Sequence, residues 1–283
     1  MMPDKRLADL IDFYREAGVD ALLGEEPVDR FAATDAPQPP PARGRSASEA
    51  RRMGVSVSAD DPIRPALRAA PPVLSGEGNN LIAPDEAAMA AREAARSAQN
   101  LAELRAILER FDGCALKATA TQLVFADGNP QAKLMLVGEA PGRDEDLEGL
   151  PFVGRSGKLL DRMLAAIGLD RSKVYIANIV PWRPPGNRTP TPQEQQICLP
   201  FILRQIELAD PDILVCLGGP SAQALLGIKD GITKTRGRWY KFDTGTRKID
   251  AMPTFHPAFL LRSPLQKRFA WRDFLAIKKA LGA

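Results

Sequence analysis

Two hydrophobic patterns alternate along the second two-thirds of the chain. Residues 134–137, 174–180 and 213–217 are short, almost wholly apolar runs, as expected of strands buried on both faces. Residues 121–125, 239–242 and 249–255 read as further strands, and Asp127-Gly128-Asn129-Pro130 as a turn. Between them, apolar positions recur at helical spacing. Residues 84–113 predict a long helix, capped by Asp85, closed by Gly113 and broken once near 97–100. Residues 156–168 place Leu159, Leu160, Met163, Leu164 and Ile167 on one helical face. Thr191-Pro192-Gln193-Glu194 is a capping box with proline at the first helical position, so a helix starts there and runs to Ala209. Residues 221–226 predict a short helix and 264–281 a closing one, basic on one side. Strands alternating with helices predict an α/β fold: a three-layer α/β/α sandwich around a mainly parallel sheet.

The first third reads differently. Residues 4–17 carry Leu7, Leu10, Ile11 and Tyr14 at helical spacing, with Asp4 as a cap and Gly18 as a stop. This short amphipathic helix either packs on its own domain or docks on a protein partner. Residues 37–75 are rich in Pro, Ala, Arg and Ser without apolar periodicity, the composition of a flexible linker. The expected division is therefore an N-terminal helix and linker over 1–83 and a folded domain over 84–283.

Net charge is only +3, but it is unevenly placed: residues 229–283 hold 13 Lys/Arg against 4 Asp/Glu. A basic C-terminal quarter suits either a phosphate-binding face or a solvated surface. Three widely spaced cysteines form no disulfide framework and suit a reducing cytoplasm. The first ten residues carry two acids and no apolar core, so no signal peptide is expected there. No run of about 18 apolar residues exists to span a membrane.

Candidate chemistry centres on residues 133–157, KLMLVGEAPGRDEDLEGLPFVGRSG. The strand ends in Gly138-Glu139-Ala140-Pro141-Gly142, which brings backbone N–H groups to the carboxyl edge of the sheet, where open parallel sheets bind ligands. An acidic loop with Asp144, Glu145, Asp146 and Glu148 follows, then Phe152. A carboxylate, a tight turn and an aromatic ring in one short span suit a flat polar ring; a plain strand-to-helix turn with a solvated loop is the alternative. The stretch is no P-loop, lacking Gly-Lys-Ser/Thr, and no dinucleotide fingerprint, lacking G-x-G-x-x-G. Asn178 is a polar side chain inside an apolar strand, either satisfied by nearby backbone or reading a base edge. His256, the one histidine, follows an apparent strand and precedes Pro257, which puts it at the same sheet edge as Glu139 and Asn178.

VGEAPG, the acidic loop and G-x-PFVG-x-x-G-x-LL together resemble the first motif of the family-four uracil-DNA glycosylases, and the likeness runs in order from about Cys114 to the C-terminus. The resemblance implies a DNA repair enzyme that hydrolyses the N-glycosidic bond of uracil in single- or double-stranded DNA. It implies that Gly138, Ala140, Phe152 and Asn178 bind uracil, with Phe152 stacking and Asn178 reading the base edge. It implies that His256 and Glu139 catalyse, with Glu145 and Asp146 as second candidates to position water or stabilise the sugar cation. Arg183, Asn187, Arg188, Arg262, Lys267 and Arg268 would meet DNA, and Leu260 and Leu261 would be apolar wedges. Better-known uracil glycosylases carry a tyrosine and a water-activating aspartate where this chain has Gly142 and Ala140. The family also carries four cysteines that hold a 4Fe–4S cluster. Cys114 and Cys198 match two of them, whereas Phe111 and Trp182 stand at the other two and Cys216 lies in a strand, so no cluster is expected. A catalytically silent DNA-binding protein of the same fold, and a glycosylase of wider damaged-base range, are the rival readings.

Overall fold

The computed structural model describes residues 84–282; the expected helix at 4–17 and linker at 37–75 lie outside them. Ten helices are named here in chain order: α1 (Pro84–Ser97), α2 (Leu101–Arg110), α3 (Leu116–Thr119), α4 (Arg143–Glu148), α5 (Arg155–Ala165), α6 (Pro192–Ala209), α7 (Gly219–Leu226), α8 (Ile232–Thr235), α9 (Pro257–Arg262) and α10 (Lys267–Ala280). The strands are β1 (Asp127–Gly128), β2 (Leu134–Gly138), β3 (Val174–Asn178), β4 (Ile213–Leu217), β5 (Tyr240–Asp243) and β6 (Lys248–Thr254). They form one sheet in the order β1-β3-β2-β4-β6-β5. The inner four strands are parallel, and only the edge strands β1 and β5 pair antiparallel.

Both sheet faces are covered, which is why β2, β3 and β4 read as unbroken apolar runs. Alternate residues go to opposite sides. Met135, Val137, Tyr175, Ala177, Leu214 and Cys216 join a core with α1, α2 and α6. Leu134, Leu136, Val174, Ile176, Ile213 and Val215 join the other with Leu160 and Leu164 of α5 and Phe274 and Ile277 of α10. The expected three-layer α/β/α sandwich is the one observed. Among the described residues no helix is long and apolar enough to cross a membrane.

Local expectations fared unevenly. The break near 97–100 is real: Asn100 caps α2 by accepting from the Glu103 N–H at 2.9 Å. That helix ends at Arg110, short of Gly113, with Phe111 as its C-cap. The Thr191–Glu194 capping box starts α6 as expected. Residues 121–125 form no strand; Val124 alone bonds to the Pro181 carbonyl, and the edge strand is instead Asp127–Gly128, where a turn was expected. The supposed acidic loop is the helix α4, closed by Gly149 in the left-handed region at φ 73°. The loop after His256 is the helix α9, and the closing helix begins only at Lys267, after a 3-10 turn at Pro264–Gln266. These last segments are too short for helical periodicity to register.

Candidate active site

The carboxyl ends of β2, β3, β4 and β6 open into a cavity of about 650 Å³. Glu139, Phe152, Asn178 and His256 all line it; Glu139, Asn178 and His256 stand at or just after the ends of β2, β3 and β6, and Phe152 comes from the loop between α4 and α5. Gly138 and Asn178 are register partners. A Cβ at Gly138 would overlap Asn178 Oδ1 and approach the Phe152 ring to 2.7 Å. Gly138 does not line the cavity; its contribution is clearance, which lets the amide and the ring close over the strand end. Ala140 does line it. Asn178 is buried at the cavity wall, and among the described residues no group hydrogen-bonds to its side chain.

Phe152 is held by backbone rather than by packing alone. It sits in the left-handed region at φ 56°, a costly conformation for an aromatic residue that persists only where its surroundings impose it. Arg171 imposes it, donating to the carbonyls of Phe152 and Pro151 while pairing with Asp127 at 2.5 Å and Asp161 at 2.8 Å. Gly157, at the start of α5, lies so close to the Phe152 carbonyl that any side chain there would collide with it. Nothing in the sequence marked Arg171, because its four partners come from three separate segments.

The three acids have separate fates. Glu139 Oε1 is buried with no hydrogen-bond partner among the described residues, and burial pushes its carboxyl pKa up. Glu145 and Asp146, expected as second candidates for catalysis, are engaged elsewhere. Glu145 lines the cavity and accepts from the Gly142 and Gly154 N–H groups, each at 3.0 Å, tying the loop after β2 to the start of α5. Asp146 accepts from the Thr121 N–H and hydroxyl at 2.8 Å, lies 3.9 Å from Arg183, and does not line the cavity. Both carboxylates thus brace the fold through backbone N–H groups, and of the two only Glu145 faces the cavity, with acceptor positions to spare. The same brace explains Gly142: a Cβ there would meet Glu145 Oε2 at 2.8 Å.

His256 caps α9, its Nδ1 accepting from the Ala258 N–H at 3.1 Å. Nδ1 therefore carries the lone pair, which assigns the proton of the neutral ring to Nε2. Burial, assisted by the Arg262 charge, lowers its pKa to about 4. Near neutral pH the site thus holds a neutral imidazole with one N–H to donate. Its ring centroid lies 5.4 Å from that of Phe152. Gly218, at φ 98°, clears space beside it: a Cβ there would come within 3.1 Å of His256 Cβ.

The expected DNA-contacting residues separate in the same way. Asn187, Arg188 and Arg262 line the cavity. Arg183 donates to Asn187 Oδ1 at 2.7 Å, and Arg188 is paired in bidentate fashion with Glu194 at 2.8 and 2.6 Å. Arg268 stacks over the Phe269 ring at 4.7 Å, and Lys267 opens α10. Leu260 does not serve as a wedge: it is buried with Phe255 and Ala270, because α9 turns it inward one position before Leu261. Leu261 is exposed, and so is Leu265, which is 83% exposed on the 3-10 turn and was hidden inside the predicted closing helix.

The residues at the expected cluster positions do not fit a 4Fe–4S centre, which needs four thiolates. Cys198 donates its S–H to Cys114 at 3.9 Å, which lowers the Cys114 thiol pKa and raises that of Cys198. Phe111 packs edge-on against Phe201 at 5.0 Å, and Trp182 is buried in the same core. Cys216 lies within β4, its thiol pushed up to about 12 by burial. Among the described residues no three His, Cys, Asp or Glu side chains gather to hold a metal ion.

Comparison with known proteins adds an independent line. A family model for the uracil DNA glycosylase superfamily matches residues 125–275. The chain is 42% identical over 173 residues to a type-4 uracil-DNA glycosylase of Archaeoglobus fulgidus, covering 60% of this chain and 87% of that protein. It is 44% identical over 157 residues to the type-4 enzyme of Thermotoga maritima, covering 55% and 80%. It is 41% identical over 175 residues to that of Saccharolobus solfataricus, covering 60% and 81%.

Two titration behaviours follow from this geometry. The His256 pKa is lower folded than unfolded, so the unfolded chain takes up a proton first as pH falls from about 6.5 towards 4, and stability drops across that window. His256→Asn keeps a capping acceptor and cannot titrate. The unfolding free energy of the wild type relative to this variant should therefore be flat above pH 7 and decline below about 6.5; a constant difference down to pH 4.5 in urea titrations would contradict the assignment. Glu139 has the opposite sign: its raised pKa means the folded state carries an unfavourable charge at high pH. Glu139→Gln should melt at a higher temperature than the wild type at pH 8, with the gain shrinking as pH is lowered and the wild-type carboxyl protonates.

Proposed function

We propose, for a chain that belongs to the uracil DNA glycosylase superfamily, one reaction: hydrolysis of the N-glycosidic bond of uracil in DNA, releasing free uracil and leaving an abasic site for repair. The observation that carries it is the grouping of an unpartnered amide, a neutral imidazole N–H and an aromatic ring around one cavity at the sheet edge. That combination binds a flat ring with a defined donor and acceptor edge and stabilises negative charge on it.

Uracil within a duplex must leave the stack first, which costs a few kcal/mol. The Phe152 ring offers a stacking surface that offsets this. Asn178 accepts from uracil N3–H through Oδ1 and donates to O4 through Nδ2; cytosine presents the reverse pattern at those atoms and leaves the amide mismatched. As the glycosidic bond breaks, negative charge grows on the departing base and positive charge on the sugar. His256 Nε2–H donates to uracil O2, where a single preorganised donor is worth about 3–4 kcal/mol. Being neutral, the imidazole keeps the Nδ1 lone pair on the α9 cap while Nε2–H donates. The unpartnered Glu139 oxygen positions the attacking water or faces the sugar cation, and its lack of any competing bond supports that role. Water supplies OH to the sugar carbon and its proton completes the departing base.

For binding, Arg262, Lys267 and Arg268 supply cationic contacts to phosphate on duplex or single-stranded DNA. The exposed Leu261 and Leu265 offer the apolar wedge that fills the space of a flipped base. Arg188 contributes less, since Glu194 neutralises it. The amphipathic stretch at 4–17 is proposed either to pack on its own domain or to dock on a protein partner.

Oligonucleotides carrying one uracil, in duplex and single-stranded form, test the reaction. The wild type should release uracil and leave an alkali-labile site. His256→Ala should lower turnover by roughly 10²–10³ with DNA binding retained. No release by the wild type sinks the proposal, and binding lost in parallel with turnover would make His256 structural.

This chain is also proposed to work without an iron–sulfur cluster. Two thiols in mutual contact and two large aromatic side chains occupy the expected cluster region, and filled volume is what a stable core requires, since an emptied site costs about 24 cal/mol per Å³ of cavity. Protein purified without oxygen should contain neither iron nor acid-labile sulfide in stoichiometric amount. A brown chromophore with stoichiometric iron and sulfide, lost in Cys114→Ala, would overturn this.

A further inference from the structure

Arg236, Thr254 and Asp273 lie close to His256 in the chain or in space, and none of them lines the cavity. Asp273 of α10 is 2% exposed. Its Oδ2 accepts from the Thr254 hydroxyl at 2.6 Å and from Arg236 Nε at 2.8 Å, and its Oδ1 accepts from Arg236 Nη2. The guanidinium also donates to the Phe269 carbonyl at 2.7 Å and sits 5.7 Å from the Phe255 ring centroid and 5.5 Å from that of Phe269. Thr254 in turn accepts from the Gly218 N–H at 2.8 Å. One carboxylate thus joins the end of α8, the end of β6 and the middle of α10. Each of the first two leads into the cavity wall, through Ile232 on α8 and through Phe255 and His256 after β6. The fit leaves no slack: Gly237, at φ 73°, lies so close to Asp273 Oδ1 that any side chain would collide with it.

We propose that Asp273 is a positioning residue for His256, acting through Thr254 and Arg236 to fix where the strand β6 ends and hence where the imidazole N–H points. Apolar packing would hold α10 on the sheet as well as a buried ion pair does; what the directional bonds add is geometry. Geometry matters at this place because a donor displaced by about 1 Å can lose roughly 10²-fold in rate. The proposal rests on the reading of His256 as the donor to the departing base.

The test uses the full chain and exploits the fact that His256 is its only histidine, so every imidazole NMR signal belongs to it. Asp273→Asn is compared with Asp212→Asn, which weakens the Arg247–Asp210–Asp212 cluster near the amino end of β4, outside the cavity. Asp273→Asn should slow single-turnover uracil excision by about 10- to 100-fold, leave DNA affinity unchanged and displace the His256 imidazole signals. Asp212→Asn should leave the rate and the signals at wild-type values. Thr254→Val, which keeps the ion pair and removes only the strand link, should move both in the same direction by less, and it decides alone if Asp273→Asn does not fold. Wild-type excision rates, or a rate loss with His256 signals superimposed on those of the wild type, would overturn the proposal. A wild type that excises no uracil would count against the proposed function, while the displacement of the His256 signals would still report on the positioning.

Discussion

Glu139 Oε1 is buried just after β2 and, among the described residues, finds no hydrogen-bond partner. A buried carboxylate oxygen without a partner costs stability, and a chain with free choice would supply a donor. Donors of the surrounding loops are instead taken by other acids. The Gly142 and Gly154 N–H groups go to Glu145, the Thr121 N–H and hydroxyl to Asp146, and the Arg171 guanidinium to Asp127, Asp161 and the loop carbonyls. Two carboxylates that look interchangeable with Glu139 in sequence are what hold the loop around it in place.

Clearance is the second constraint. Ring, amide and imidazole can meet at one sheet edge only if the backbone beneath them carries no side chains. Gly138, Gly157 and Gly218 supply this in different ways: Gly138 faces the amide and ring, Gly157 faces the Phe152 carbonyl, and Gly218 combines a left-handed φ with the approach of His256. Phe152 has no such freedom, and its left-handed backbone is held by Arg171. Rigidity around the site is therefore built from hydrogen bonds to backbone carbonyls and N–H groups as much as from apolar packing.

The core on the α1, α2 and α6 side poses a separate problem of volume. Cys114 and Cys198 touch each other, Phe111 packs on Phe201, and Trp182 is fully enclosed. Close packing of these side chains is what fills this side of the sheet.

The sequence by itself determined the fold class and the parallel inner strands, and it singled out Glu139, Asn178 and His256 among the residues that line the cavity. Those properties are written locally: unbroken apolar runs mark strands covered on both faces, and a polar residue closing such a run marks the sheet edge. Glu139, Asn178 and His256 each stand out for that reason, and family resemblance added Phe152. Only the tertiary structure decided which acids are free. Glu139, Glu145 and Asp146 lie within eight residues of one another, and what separates them is the set of distant donors each one meets. The structure also decided that Leu260 is buried while Leu261 and Leu265 are exposed, because a six-residue helix is too short to show a period yet long enough to turn one leucine inward. Arg171, Arg236 and Asp273 went unnoticed for the same physical reason. Their roles consist of bonds between segments far apart in the chain, and such bonds leave no local pattern to read.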